Sequence, residues 1–446
     1  MSSSKVKLED IVNFLNAKRK PLSAKERENR KGIYPYYGAS DIVDYIDDYI
    51  FDGRYLLISE DGENLKTRKT PIAFIAEGKF LVNNHAHIIS GKDDQTIDYL
   101  KYYFSNFDLM PFLTGAVQPK LSKGILEKIE IDFPCYEKRK RVNQFLGSLD
   151  NKIDLNTQTN QTLEQIAQAI FKSWFVDFDP VKAKINALAN GGTHADAERA
   201  AMQIISGKTN AELTQMQQTQ PDAYKTLEKN TALFPSEMVE SELGNVPKGW
   251  VIGCIGDIAT AKGGYAFKSS QFESKGNPVI KIKNITSAGN IILEDCQCIN
   301  DQVANVASKF KLSDGDFLMA MTGATVGKIG IYVSDGRCAF VNQRVAKFES
   351  KLFNNIPCWY TYNLIRRPDI SEKIIGSAQG SAQANISSAG IEQVSIMLPI
   401  KELIYLYQST VSHLYEKWIA NHKELLKLQM TRDTLLPKLL SGELEV

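Results

Sequence analysis

The sequence predicts an α+β chain with two globular domains of mixed α/β type, each carrying antiparallel-rich sheets. Two long helices separate the domains and pair as an antiparallel coiled coil about a pseudo-twofold axis. Three observations predict this: an internal repeat, a heptad seam in each half, and β-type segments closed by turn residues. At 446 residues the chain is long enough for two or more separately cored domains.

The repeat comes first. Gly115-Ala-Val-Gln118-Pro-Lys-Leu121-Ser122 returns as Gly380-Ser-Ala-Gln383-Ala-Asn-Ile386-Ser387, at an offset of 265 residues. The same offset links Glu127 with Glu392, Ile131 with Ile396 and Pro134 with Pro399. A gapless register of that length points to a duplicated segment.

A helical pattern follows each proline. In the first copy Val142, Leu146, Leu149, Ile153, Asn156, Asn160, Leu163, Ala167, Ile170 and Trp174 advance in steps of four and three. That is a heptad seam, and its ~33 residues at ~1.5 Å each make a rod of roughly 50 Å. The second copy reads Val411, Leu414, Trp418, Asn421, Leu425, Leu428, Arg432, Leu435 and Leu439, with only Arg432 outside the apolar or Asn pattern. Two amphipathic helices buried each on its own domain would show such seams too, but the matched register favours mutual pairing. Asn156, Asn160 and Asn421 lie mid-seam, where polar residues lower stability and fix register.

The two globules differ in their first halves. Tyr55-Leu-Leu-Ile, Pro71-Ile-Ala-Phe-Ile and Ala86-His-Ile-Ile read as strands of the first domain, and Val279-Ile-Lys-Ile-Lys283 and Gly330-Ile-Tyr-Val as strands of the second. Helices are expected near 96–113 and 357–375. The resulting division is 1–135, first domain; 136–183, first long helix; 184–245, an Ala-, Gln- and Thr-rich, partly helical connector; 246–400, second domain; and 401–446, second long helix. Thr209-Asn-Ala-Glu212 has the spacing of a capping box opening a short helix in the connector.

Composition excludes several classes. The net charge of +1 announces no polyanion-binding chain as a whole, so phosphate contacts would have to come from local clusters. Cysteines 135, 254, 296, 298, 338 and 358 show no paired CxxC spacing, and free thiols in a reducing cytoplasm are the simplest account. Neither a leader-like apolar start nor a run of ~18 apolar residues is present, so no membrane partner is expected. Gly323-Ala-Thr-Val-Gly327-Lys328-Ile329 fails as a phosphate-binding loop: three residues separate its glycines, and Ile follows the Lys. Glu77-Gly-Lys79 has no well-placed upstream Asp for metal-dependent nuclease chemistry, and His85-Ala-His87 has no third metal ligand nearby. No catalytic constellation survives.

Four strings carry a resemblance. Glu242-Leu-Gly244-Asn-Val-Pro247-Lys-Gly249-Trp250 with Gly256-Asp257-Ile258 resembles the entry to a target recognition domain of type I restriction–modification specificity subunits. Phe171-Lys-Ser-Trp174-Phe175-Val-Asp177-Phe-Asp179-Pro180-Val is similar to the end of that family's central conserved helix. Gly315-Asp316-Phe-Leu with Gly323 and Gly327, and Leu436-Pro437-Lys-Leu-Leu-Ser-Gly442-Glu-Leu, match in the right order. The first domain departs by opening at Lys7-Leu8-Glu9-Asp10-Ile11 without Pro-x-Gly-Trp. The resemblance implies a non-catalytic subunit, one copy per complex, that reads a bipartite, gapped site on double-stranded DNA. It also implies two methyltransferase subunits as partners, with motor–nuclease subunits in the full complex. S-adenosylmethionine, ATP and magnesium would belong to those partners, leaving no cofactor or metal in this chain.

Contacts to DNA want Lys, Arg and backbone N–H groups for phosphates, and Arg, Asn and Gln for base edges. In the first domain the candidates are Lys18, Arg19, Lys20, Arg27, Arg30, Lys31 and Tyr36, then Lys66, Arg68 and Lys69, then Asn83, Asn84 and His85, with Gln118 and Lys120. In the second they are Lys262, Gly264, Tyr265, Lys268, Lys281, Lys283, Asn284, Lys328, Asn342, Gln343, Arg344 and Gln383. Gln118 and Gln383 are common to both copies and suit a shared role, whereas 83–85 and 342–344 differ and suit specificity. Phe171, Trp174, Phe175 and Phe178 form an aromatic cluster that reads as a core cap or a partner contact.

Overall fold

The computed structural model describes residues 4–115, 117–242, 244–378 and 385–445. It divides into two compact units, one of residues 1–154 with 428–446 and the other of residues 155–427. The first unit is therefore closed by the chain's own last residues. The two long helices explain this: they span Tyr136–Phe175 and Lys401–Ser441, and each contributes a segment to both units.

In the first unit a six-stranded sheet runs in the order Val12–Phe14, Ala86–Gly91, Phe51–Ser59, Ala73–Val82, Lys31–Tyr37, Ile42–Ile46. All its pairings are antiparallel except that of Lys31–Tyr37 with Ala73–Val82. Side chains alternate along the central strand: Leu56 and Ile58 join one core with Ile97, Leu100 and Phe104 of the helix Thr96–Asn106, while Leu57 joins Phe80 and Ile88 on the other face. That helix stops at Asn106 rather than continuing to 113, because Phe107 turns extended and Pro111 sits in a separate 3-10 turn, Met110–Phe112. A strand pair, Ser4–Lys7 against Glu130–Phe133, leads into the first long helix.

The second unit holds a four-stranded sheet in the order Ala259–Gly263, Val345–Ser350, Phe317–Ala320, Ile329–Ile331. A three-stranded sheet adds Cys298–Ile299, Asn277–Ile280 and Phe340–Val341. The alternation expected through Lys283 breaks at Ile280: Ile282–Asn284 is a 3-10 turn, closed by the Asn284 amide oxygen accepting from the Lys281 N–H at 2.9 Å. The helix expected near 357–375 splits into Trp359–Ile365 and Pro368–Gly376, since a residue before proline (Arg367, ψ 136) is driven out of the helical region.

Within each unit the long helices run antiparallel. In the second, Asn156 Nδ2 donates to Glu424 Oε2 at 2.9 Å, Asn421 Nδ2 to Asn160 Oδ1 at 3.0 Å, and Tyr407 Oη to the Ala167 carbonyl at 3.0 Å. In the first, Val142 and Leu146 pack with Leu436 and Leu439, and Arg432 meets Asp150 at 3.1 Å. Arg432 thus breaks the apolar pattern to form an ion pair. The aromatic cluster is core: Phe171, Trp174 and Phe175 are buried against Tyr360, Tyr407, Phe234 and Trp250.

The first long helix ends at Phe175, and Phe178, in a left-handed conformation with φ 56, leads into the next helix. Four helices follow in the second unit: Asp179–Ala189, His194–Ser206, Asn210–Thr219 and Pro221–Thr231. The Thr209–Glu212 box forms, with Thr209 Oγ1 accepting from the Glu212 N–H at 3.3 Å and Glu212 Oε2 from the Thr209 N–H at 2.7 Å. Lys184 is buried at their centre, its ammonium donating to Glu198 and to the carbonyls of Thr231 and Phe234 at 2.6–2.9 Å.

Candidate nucleic-acid interface

The densest basic run does not form an open positive patch. Lys31 and Arg27 share Asp44 at 2.7 and 3.2 Å, Arg30 pairs with Asp47 and Asp48, and Lys20 stands 3.9 Å from Asp48. The Lys31 ammonium, ahead of a backbone N–H and Arg27, holds the Asp44 carboxyl below the usual range. Arg19 is tied inward to Glu60 and to the Asn84 and Ala86 carbonyls, so it braces the 83–86 turn. Tyr36 is buried, its hydroxyl accepting from the Leu22 N–H and donating to the Lys20 carbonyl. Arg68 donates to the Ser105 and Phe107 carbonyls at the end of Thr96–Asn106. These contacts give Arg19, Tyr36 and Arg68 structural work that a reading of charge and polarity along the chain does not show. Lys18, Lys66 and Lys69 remain exposed with no ion pair among the described residues.

In the second unit Lys262 pairs with Glu349, and Lys281 lies 3.6 Å over the Phe272 ring while donating to Gln297. Asn284 is buried as the turn cap already described. Tyr265 packs edge-on against Phe267 and tilted against Phe310. Gly264 has a packing reason: a Cβ there would stand 2.1 Å from the Val341 carbonyl oxygen. Lys268 and Lys283 are exposed and Lys328 is half-buried. Gln118 is exposed, while Gln383 lies outside the described residues.

What the fold does bring together is one backbone frame, built twice. Ser59 pairs with Ala86 at the end of one ladder, and Ala320 with Val345 at the end of another. Just beyond, the Glu60 N–H donates to the His85 carbonyl at 2.8 Å, and the Met321 N–H to the Arg344 carbonyl at 3.0 Å. Leu121 N–H reaches the Glu60 carbonyl at 2.7 Å, and Ile386 N–H the Met321 carbonyl at 2.9 Å. Asn83 N–H donates to Tyr37 and Asn342 N–H to Ile280, both at 3.0 Å. The Asn83 and Asn342 amide oxygens then accept from His85 and Arg344 N–H, at 2.8 and 3.4 Å. Single bridges close each frame, Asp61 with Lys120 and Thr322 with Asn385.

The side chains on this frame differ. In the first unit His85 Nδ1 meets Asp61 at 2.9 Å, and Lys120 approaches Glu60 at 3.4 Å. Burial alone would raise the Glu60 carboxyl, but Arg19 and Lys120 hold it below its ordinary value. His87 is fully buried and is kept uncharged by that burial, its Nε2–H donating to the Leu121 carbonyl at 2.8 Å. In the second unit Met321, Thr322, Gln343, Arg344 and Asn385 line a shallow depression. Asp61, Thr322 and Asn385 were not evident as candidates from sequence; the repeat offset places Asn385 opposite Lys120, but only strand pairing brings in Asp61 and Thr322.

A family profile described as the type I restriction modification DNA specificity domain matches this chain twice, over residues 2–165 and 247–421. The chain belongs to that family. Both frames lie inside the matched segments, and the four-helix insertion Asp179–Thr231 lies outside them. Among this specificity protein's relatives, the type I restriction enzyme HindI specificity subunit of Haemophilus influenzae is 30% identical over 88% of this chain and 84% of its own length. The MjaIX specificity subunit of Methanocaldococcus jannaschii is 24% identical over 95% and 90%. The crystal structure of an S subunit from M. genitalium shares the fold with a TM-score of 0.58 at 14% identity, covering 98% of this chain and 95% of that one. Among the described residues of the specificity protein, no helix is long and apolar enough to cross a membrane, and no group of three or more His, Cys, Asp or Glu is placed to hold a metal.

Proposed function

We propose that this specificity subunit binds double-stranded DNA with each unit on one half of a bipartite, gapped site. The observation that supports the reading most is the frame built twice with unlike exposed side chains. A scaffold common to both copies can present two different sets of hydrogen-bonding groups, as two different half-sites require. The antiparallel seam, with Asn156, Asn160 and Asn421 fixing its register, sets the length of the unread spacer.

The exposed faces of the long helices recruit two methyltransferase subunits to one copy of this chain, and motor–nuclease subunits join through them. The chain itself performs no chemistry; S-adenosylmethionine, ATP and magnesium act in the partners, where the target adenine is flipped from the duplex.

Co-expression with a methyltransferase subunit in a methylation-free host, followed by genome-wide mapping of modified adenines, tests this reading. A gapped bipartite motif that disappears without this chain is the expected result. A stable complex with an active methyltransferase and no such motif would overturn it. Inserting seven residues into one long helix should change the spacer or abolish assembly, and an unchanged spacer removes the ruler role.

A further inference from the structure

The duplicated frame allows specificity to be assigned to positions. We infer that the paired positions Asp61/Thr322, His85/Arg344 and Lys120/Asn385 are where the two units discriminate bases, with Arg344 reading a guanine. The inference rests on the proposed reading that each unit binds one half-site.

Three observations carry it. First, these positions share backbone contacts between the units while their side chains share no chemistry: carboxylate against hydroxyl, imidazole against guanidinium, ammonium against amide. A side chain needed to hold the frame would face the same neighbours in both copies and be constrained alike. Asn83 and Asn342 behave in that way, since each caps the N–H two residues on.

Second, the hydrogen-bonding capacity at the second unit's positions is largely open. Arg344, Gln343 and Asn385 are exposed, and their side chains have no partner among the described residues. Two of the other basic candidates of this unit are already engaged, Lys262 by Glu349 and Lys281 by Gln297 and the Phe272 ring. In the first unit His85 and Lys120 are paired with Asp61 and Glu60, yet each is about half exposed, at 47% and 51%, so its pair faces solvent. The Thr322 hydroxyl is buried at the floor of the depression without a hydrogen-bond partner, although buried polar groups nearly always have one.

Third, the groups suit base edges. A guanidinium fork matches the O6 and N7 acceptors of guanine, Asn and Gln match adenine, and a carboxylate accepts from the cytosine amino group. The two sets therefore favour different sequences, with the first unit offering a carboxylate, an imidazole and an ammonium and the second amides, a hydroxyl and a single guanidinium.

The test uses the complex of this chain with its methyltransferase subunits. Absence of a gapped motif for the unmodified complex would be a failure of the proposed function. Given a motif, affinities are measured on duplexes that each change one base pair across both half-sites. For Arg344→Ala the preference for one G·C pair, about 5- to 150-fold before the change, should fall below about threefold, with all other preferences kept. Asp61→Ala should alter one position of the other half-site. Uniform weakening across the panel, an unchanged profile, or altered preferences in both half-sites would each overturn the inference. If Arg344→Ala binds too weakly to measure, Arg344→Lys decides: charge without the fork should retain binding and lose the guanine preference. Retained preference, or no binding by either variant, counts against the assignment.

Discussion

Asn421 donates its side-chain amide to Asn160 Oδ1 at 3.0 Å, and both residues are buried in the seam of the second unit. Asn160 in turn donates to the Trp418 carbonyl at 3.1 Å, so its own amide orientation is fixed. Replacing Asn421 by Ala leaves a buried acceptor unpaired and should lower stability by about 1–3 kcal/mol. Replacing both residues by Leu should recover most of that loss, because an apolar seam needs no pairing. Urea denaturation of both single variants and the double variant checks the coupling; a double-variant loss as large as the sum of the single losses would show that the pair has none.

Acidification should weaken the first unit before its carboxylates titrate. Burial keeps His87 neutral, and the Asn16 amide, held by the Ile88 N–H at its oxygen, donates to Nδ1 at 2.9 Å. Its folded pKa is depressed, so below ~6.5 the unfolded chain binds a proton that the folded chain refuses. Stability is thus complete above ~6.5 and declines as pH falls below it. Thermal midpoints at pH 7.5 and 5.5 should differ more for the unmodified protein than for His87→Gln. Half-buried His422 has the same sign and should sustain part of the dependence in that variant.

Lys184 should be indispensable to the four-helix insertion. Its side chain is 2% exposed and satisfies Glu198 and two carbonyls at once. Lys184→Ala removes all three hydrogen bonds and leaves buried acceptors, a loss of about 3–5 kcal/mol for a buried pair, nearer the lower figure because Glu198 is 35% exposed. Limited proteolysis should cut within 179–231 far faster in this variant, and unchanged protection would refute the role.

Basic residues of the first unit should separate into two kinds. Arg19→Ala should lower stability by about 1.5–3 kcal/mol by removing the charged hydrogen bonds to Glu60 and the 83–86 turn. Lys66→Ala and Lys69→Ala should leave the midpoint unchanged and reduce the salt dependence of DNA binding by a slope of about 0.9 for each phosphate no longer neutralised. A salt slope altered by Arg19→Ala at unchanged stability would reverse this division.

The units also show where reading along the chain stops working. The heptad seams were legible because burial recurs every three or four residues, and the seam Asn residues are indeed buried. Tyr407 and Tyr415 lie outside the heptad series as read from the sequence; both accept from Asn363 of the helix Trp359–Ile365, and Tyr407 also reaches the first long helix at Ala167. Arg27, Arg30 and Lys31 looked like a phosphate-binding cluster because charge was counted along the chain. Their carboxylate partners arrive from Asp44, Asp47 and Asp48, at and beyond the hairpin strand Ile42–Ile46.

By itself the sequence determined the duplication, the two long helices and the family, since periodicity, offset and motif order are all local or translational properties of a string. It also placed 83–85 and 342–344 among the residues that differ between the copies. Only the tertiary structure decided that Asp61 belongs with His85 and Lys120, and Thr322 with Arg344 and Asn385. Those groupings depend on which strand ends meet and in what register. Hydrogen bonds between segments far apart in the chain set that register, and no spacing within one segment encodes it.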